Sequence, residues 1–246
     1  MRLVPPLGAL AAEQWGLFTT AQAGRVGVSS QQLARLAGQG VVERVRHGVY
    51  RVAGAPPGVR DHVRAVWLAL RPAEMAGQRL AGGPAGGPGG GSGGGSEGVE
   101  VVSHRSAAAL HGLGDLEADR AEFTVATRRQ SRDRDVRFHL ATLAAGEWTV
   151  LDGLPVTTVE RTLVDLARGH LDGGHLAGVV RDAVTTLHLE PGVVARALAP
   201  FARRYGAAPE DAQGLVRQFL EEAGIPAATR AAARMVAPAA RTRSQR

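Results

Sequence analysis

Apolar residues at helical spacing predict two short helices near the start of the chain. Thr20 can cap a helix that runs to about Val26, and Ser29 or Ser30 can cap a second helix that reaches about Gly38. A glycine follows the first helix and ends it. This spacing is typical of a helix-turn-helix unit.

Two runs of β-branched residues follow the second helix. Residues 41–46 and 49–52 flank His47 and Gly48, which can form the two-residue turn of a hairpin. Residues 7–15 predict one more helix ahead of the pair. Three helices followed by a hairpin predict a winged helix-turn-helix, with the hairpin as the wing.

The pattern changes beyond the wing. Val59, Val63, Val66, Trp67 and Leu70 recur at helical spacing, and a Gly-rich tract that can bury almost nothing follows them. Short strands and helices then alternate, which predicts an α+β fold. The predicted parts are a winged-helix domain (residues 1–53), a mixed helix and short-strand domain (58–225), a disordered Gly-rich insertion within it (81–98) and a flexible basic tail (226–246).

Composition adds a positive charge that is concentrated in the first 80 residues, which include the predicted winged helix. The formal net charge is +6 and the sequence pI is about 11.1. Residues 1–80 hold ten arginines against four acidic residues, whereas residues 99–208 are nearly neutral, with thirteen arginines and fourteen acidic residues. Positive charge located on such a motif favours double-stranded DNA as the partner.

The 3.6-residue period of the second predicted helix separates a packing face from a reading face. Leu33, Leu36 and Ala37 share the packing face. The side chains predicted to meet base edges lie opposite them or at the helix start, and they are Ser30, Gln31, Gln32, Arg35 and Gln39. The wing residues that cannot all be buried are candidates for phosphate or minor-groove contact, and they are Arg44, Arg46, His47 and Arg51.

Three missing residue types remove several kinds of chemistry. The chain has no lysine, no asparagine and no cysteine. This excludes lysine-dependent phosphate loops, Schiff bases and Ser-x-x-Lys nucleophiles, the acidic-plus-lysine core of restriction-type nucleases, disulfides and thiolate metal sites. No window approaches the roughly 18 apolar residues of a membrane span. We therefore expect a cytoplasmic protein.

Histidines and acidic residues give weaker signals. His104 and His111 lie seven positions apart on a predicted helix, whereas helical metal sites favour spacings near four, and no carboxylate completes the pair. We expect no metal ion, no cofactor and no catalytic residue. Two alternatives stay open, along with the oligomeric state: an enzyme acting on nucleic acid with a site around His104, His111 and Asp115, or a scaffold whose winged helix docks a protein.

Three motifs in the predicted winged helix resemble a known family. FTTAQA at 18–23, the Gly-Val-Ser turn at 27–29 and RHGVYR at 46–51 occur in this order. The region is similar to the N-terminal domain of the AbiEi antitoxins of type IV toxin-antitoxin systems, particularly those of actinobacteria. VVSHRSAAALHGLGDL and DGLPVTTVERTLVDLA, further along the chain, resemble the downstream domain of that family.

The resemblance implies a function for both domains. Arg44, Arg46, Arg51 and the helix from Ser30 would bind an inverted-repeat operator, expected upstream of the protein's own gene. The N-terminal domain would repress the operon, and the downstream domain would oppose a nucleotidyltransferase-like toxin without a stable complex. Because the Gly-rich tract departs from the family's short connection at this point, the resemblance places it inside the second domain, after a boundary at residues 56–57.

Overall fold

Two side-chain caps decide where the second and third helices begin. The hydroxyl groups of Thr19 and Ser29 accept from the backbone N–H groups of Gln22 and Gln32, and each glutamine side chain accepts from the N–H of its cap residue. Of the two caps proposed for the third helix, Ser29 is confirmed. The prediction of Thr20 was wrong by one position, because Thr19 has the extended backbone of a cap (φ −100°, ψ 162°) and Thr20 is already helical.

The computed structural model describes part of the chain, namely residues 4–81, 98–131 and 133–224. Residues 82–97 of the predicted Gly-rich insertion and the predicted basic tail, 226–246, lie outside the described residues. Helices and strands occur throughout the described part, so the α+β prediction is confirmed.

The first six elements have the order of a winged helix-turn-helix, which confirms that prediction. They are helix α1 (Val4–Ala12), strand β1 (Leu17–Thr19), helices α2 (Thr20–Arg25) and α3 (Ser30–Gly38), and strands β2 (Val42–Arg46) and β3 (Val49–Val52). The strands form an antiparallel sheet in the order β1-β3-β2. At the turn between β2 and β3, Gly48 has a φ of +75°, which favours glycine over any residue with a Cβ.

An apolar core lies between the three helices and this sheet. Leu33 and Leu36 of α3 are buried, at 0% and 7% exposure, and they belong to one cluster with Phe18 of β1 and Tyr50 of β3. The Phe18 and Tyr50 rings stack with their centroids 5.9 Å apart. Burial of the apolar face holds α3 on the sheet and leaves its polar face in solvent.

A second, five-stranded sheet follows, with two helices before it and one within it. The elements are α4 (Asp61–Leu70), α5 (Ala76–Ala81), β4 (Val101–Val102), α6 (His104–His111), β5 (Ala121–Val125), β6 (Val136–Leu140), β7 (Trp148–Leu151) and β8 (Leu154–Thr157). The strand order is β6-β5-β4-β8-β7. The pairs β4–β8 and β5–β6 are parallel, and the others are antiparallel. Val59, predicted at an apolar helical position, instead precedes α4 and is fully exposed.

The chain divides into two compact units. The first comprises Met1–Ser106 with Ala118–Thr158, and the second comprises Ala107–Glu117 with Val159–Arg246. The winged helix and the five-stranded sheet thus fall in the first unit. The predicted division into a winged-helix domain (residues 1–53) and a mixed domain (residues 58–225) stays a prediction.

The second unit consists mainly of helices around an apolar core. Its helices after the strands are α7 (Val159–Arg168), α8 (Gly173–Thr185), α9 (Pro191–Leu198) and α10 (Ala212–Glu222), with 3₁₀ turns at Ala199–Tyr205 and Pro209–Asp211. Leu163, Leu176, Val180 and Phe219 are among its fully buried side chains. Asp172 caps α8 by accepting from the N–H of His175 at 3.1 Å.

A buried carboxylate in the first unit pairs with three arginines. Glu100 is 3% exposed and accepts from Arg71 at 3.0 and 3.1 Å, Arg79 at 2.7 Å and Arg129 at 2.5 Å. The guanidinium of Arg79 also lies 3.4 Å from the ring centroid of Trp67, whose indole N–H donates to the Glu100 carbonyl at 2.9 Å. These contacts join α4, α5 and β4.

Burial and charge act in opposite directions on this cluster. Burial alone would raise the pKa of Glu100, but the hydrogen bonds from Arg71 and the charges of Arg79 and Arg129 lower that pKa below its ordinary value. Burial lowers the pKa of Arg79 to about 10, so this side chain remains charged at neutral pH. A carboxyl with a lowered pKa stabilises the folded state above its unfolded pKa, and that stabilisation is lost as the pH falls through its folded pKa.

Substituting Glu100→Gln should destabilise the protein and reduce the pH dependence of its stability in acid. We expect the Tm at pH 7 to fall by roughly 5–10 °C, because Arg79 would remain buried without its counter-charge. The difference from the wild type should shrink as the pH falls below about 4.5, the ordinary pKa of a glutamate, because the unfolded chain then binds a proton more readily than the folded chain does. Thermal unfolding followed by circular dichroism measures both effects.

The matched control is Glu74→Gln. Glu74 also faces Arg71, at 3.6 Å, but its side chain is 46% exposed. Its removal should lower the Tm by less than about 2 °C. Equal losses for the two variants would contradict a specific role for the buried carboxylate.

Candidate nucleic-acid interface

Helix α3 presents a polar face to solvent. Ser30, Gln31, Arg35 and Gln39 are exposed, whereas Leu33 and Leu36 on the opposite side are buried. Ser30 is the first residue of the helix, next to the capped end. The side chains predicted to meet base edges are therefore accessible, apart from Gln32.

The side chain of Gln32 is engaged at the start of α3. Its carboxamide oxygen accepts from the backbone N–H of Ser29 at 2.8 Å, and the backbone N–H of Gln32 donates to the Ser29 hydroxyl at 3.2 Å. The residue is half-buried. Gln32 therefore fixes the start of the helix that carries Ser30 and Gln31, and its carboxamide is engaged in the cap rather than directed to a base edge.

The tip of the wing carries two exposed basic side chains. Nη2 of Arg44 lies within hydrogen-bond distance of Nδ1 of His47, at 2.8 Å. Both residues are exposed, and the guanidinium has further N–H donors besides the one that faces the ring. Arg44 and His47 thus remain candidates for phosphate contact.

Arg46 is half-buried and already has a carboxylate partner. Its Nη2 forms an ion pair with Asp133, in the connection between β5 and β6. A phosphate group would have to compete with this carboxylate. The availability of Arg46 to DNA therefore depends on Asp133.

Arg51 is buried, and its burial removes it from the candidate surface. It is 8% exposed and donates to Glu43 at 2.6 Å and to Asp61 at 2.7 Å. The hydrogen bond to Glu43, together with the charge of Asp61, outweighs burial and raises the pKa of Arg51. The expectation from the sequence and from the family resemblance, that Arg51 contacts DNA, is corrected accordingly. Glu43 lies opposite Arg51 on the neighbouring strand β2, and Asp61 is the first residue of α4.

The histidines considered for a rival catalytic site fall in different units. His104 belongs to the first unit, whereas His111 and Asp115 belong to the second. Within the first unit, His104 lies with Glu122 and His139, two residues that the sequence did not associate with it. The carboxylate beside His104 comes from a later strand, β5. Apolar and polar residues alternate along β5 and β6, which places Glu122 and His139 on polar positions. The parallel pairing that brings these two strands together is not visible in the sequence.

The comparisons with known proteins identify the N-terminal region. Residues 7–53 match the family model described as "Transcriptional regulator, AbiEi antitoxin". No curated protein matches the chain. The match extends from within α1 to the end of β3, so this winged helix is similar to the domain that the family model describes. Among the described residues, no helix combines the length and apolarity needed to cross a lipid bilayer.

Substituting Asp133→Asn should strengthen the binding of duplex DNA. Asparagine keeps an acceptor for the N–H of Asp135, now bonded at 3.0 Å, but removes the charge that faces Arg46. We expect a random-sequence duplex to bind about threefold to tenfold more tightly, with a salt dependence steeper by about one unit of slope, because one more cation reaches phosphate. Fluorescence anisotropy over a range of salt concentrations measures both quantities.

Asp135→Asn is the matched control. It removes the same charge from the same connection, but Asp133 is the carboxylate that pairs with Arg46. A much smaller gain is expected for this variant. Equal gains for the two variants would point to net charge alone and would contradict the masking of Arg46.

Proposed function

We propose that the chain is a transcriptional repressor and AbiEi-type antitoxin that binds operator DNA upstream of its own gene through α3 and the wing. The observation that carries the proposal is the exposed polar face of α3, with Arg35 near its end, in a domain that matches an antitoxin regulator family. Arg35 and the glutamines Gln31 and Gln39 have the donors and acceptors that distinguish base pairs in the major groove.

The two groups of side chains have different tasks in this proposal. Arg35 on α3 reads a base, so its contribution depends on sequence. Arg44 on the wing pairs with phosphate, so its contribution is nearly independent of sequence and is weakened by salt. His47 also contacts phosphate beside Arg44. Arg46 contacts phosphate only when the phosphate displaces Asp133 from it.

The division of the chain in the proposal follows the predicted domains. Residues 1–53 bind DNA, and residues 58–225 oppose a nucleotidyltransferase-like toxin without forming a stable complex with it. An inverted-repeat operator would be bound by two copies of the domain, one on each half-site.

Single substitutions should separate base reading from phosphate contact. The probes are a duplex from the region preceding the gene and a scrambled duplex of equal composition. Arg35→Ala should reduce the preference for the first duplex by roughly 5-fold to 150-fold, the range of one bidentate base contact. Arg44→Ala should weaken binding to both duplexes by a similar factor and reduce the salt slope by about one. Anisotropy titrations at several salt concentrations measure these changes.

The control is Arg168→Ala, at an exposed position on α7 in the other unit. Its affinities should stay within about twofold of the wild type, since it lies outside the proposed surface. Indistinguishable effects of Arg35→Ala and Arg44→Ala would contradict the assigned roles. Binding that is absent on every duplex would favour the alternative of a winged helix that docks a protein.

The antitoxin part of the proposal has a separate test. The Arg35→Ala, Arg44→Ala double variant should lose repression of a reporter placed behind the upstream region, yet still restore growth of cells that express an adjacent nucleotidyltransferase-like gene. Growth and reporter fluorescence in the same strain measure the two functions. Loss of both functions in a variant with a wild-type circular dichroism spectrum would contradict the division between the domains. Failure of the wild-type chain to restore growth would contradict the antitoxin role.

A further inference from the structure

Two histidines and a glutamate converge at one place in the first unit, away from the winged helix along the sequence. His104 is the first residue of α6, Glu122 lies on β5 and His139 lies on β6. One ligand atom from each lies within 4.8 Å of the others. In the parallel pairing of β5 with β6, Glu122 lies beside Arg137, and Thr124 lies beside His139. Because side chains two residues apart on a strand share a face, Glu122 and His139 lie on the same face of the sheet.

The two imidazole rings are held against each other. The centroids of His104 and His139 are 3.4 Å apart and their planes are inclined by 13°. His104 has a φ of +52°, a left-handed backbone that is uncommon for a histidine. Its Nδ1 is 3.0 Å from the hydroxyl of Ser103, a contact of the kind that orients a metal-binding histidine through its second ring nitrogen.

The ring nitrogen of His139 that faces the glutamate lacks a hydrogen bond. Nε2 of His139 is buried, has no hydrogen-bond partner and lies 3.6 Å from Oε2 of Glu122. Donor atoms around a tetrahedral zinc ion, with bonds of about 2.0–2.2 Å, lie about 3.4 Å from one another. The observed separation is too long for a hydrogen bond but is close to the spacing of two ligands on one ion.

The glutamate carboxylate is held in place by a backbone group. Glu122 is 7% exposed, and its Oε2 accepts from the N–H of Arg105 at 3.2 Å. The guanidinium of Arg137 lies 4.0 Å from Oε1, and its side chain is 60% exposed, so it can move into solvent when another cation binds.

We infer that His104, Glu122 and His139 bind one divalent transition-metal ion of the Zn²⁺ class. Two imidazoles and one carboxylate suit Zn²⁺ and its neighbours in the series, whereas Mg²⁺ and Ca²⁺ prefer oxygen ligands alone. Three protein ligands leave at least one coordination position open to water or another molecule. Because an ion must lie near the plane of each imidazole that binds it, the two stacked rings should tilt apart on binding.

Titration of the metal-free full chain with Zn²⁺, followed by calorimetry, tests this inference. We expect one ion per chain, with an affinity that falls by about 100-fold or more in His139→Gln and Glu122→Gln, since each removes one of three ligands. Co²⁺ should give visible absorption bands of a four-coordinate or five-coordinate ion with nitrogen ligands in the wild type, and these bands should be lost in His139→Gln.

The matched control is His175→Gln. His175 also lies beside a carboxylate, that of Asp172, but at the exposed start of α8. Zn²⁺ affinity and stoichiometry should stay within about twofold of the wild type. Equal losses for His175→Gln and His139→Gln would contradict the site, as would undiminished binding in His139→Gln.

A measurement on the wild-type chain keeps the test independent of how the variants fold. Zn²⁺ should protect His104 and His139, but not exposed His62, from modification by diethyl pyrocarbonate, as localised by mass spectrometry. Protection of other histidines instead, or no binding below about 100 µM Zn²⁺, would overturn the inference.

Discussion

The apolar underside of α3 is the constraint on which the candidate interface depends. Leu33 and Leu36 pack with Phe18 and Tyr50, so one rotation of the helix about its axis is fixed. Only with that rotation are Arg35 and its polar neighbours in solvent. The capping box at Ser29 adds a fixed starting point, so both the direction and the register of the reading face follow from contacts within 1–53.

Arginine has two distinct tasks in this protein. Arg51 and Arg79 are buried and paired with carboxylates, where they join neighbouring elements. Arg35 and Arg44 are exposed on the winged helix. The positive charge counted over the first 80 residues is therefore only partly available to a nucleic acid. Arg46 is intermediate, because it is half-buried and paired with Asp133. The basic composition favours a nucleic-acid partner, but burial decides which side chains are accessible to one.

Much of the winged helix could be predicted because its caps and turns are set by neighbouring residues. The features that could not be predicted depend on contacts between residues far apart in the sequence. Turn and cap residues lie within a few positions of the elements they define, so α3 and the hairpin could be located from the sequence. Arg51 is paired with Glu43 of β2 and with Asp61 at the start of α4, and no local pattern in the sequence records these contacts. Gln32 fits both a capping box and a reading face by spacing alone, and the contacts favour the cap. His104 and His139 are brought together by strand pairing over 35 positions.

Amide hydrogen exchange of the full chain, with and without the duplex that precedes its gene, tests the central claim most directly. The account predicts that DNA slows exchange in residues 29–39 and 42–48, with little change in the helices from Val159 onward. Slowed exchange confined to the helices after Val159, or unchanged exchange in residues 29–39 at saturating DNA, would contradict it.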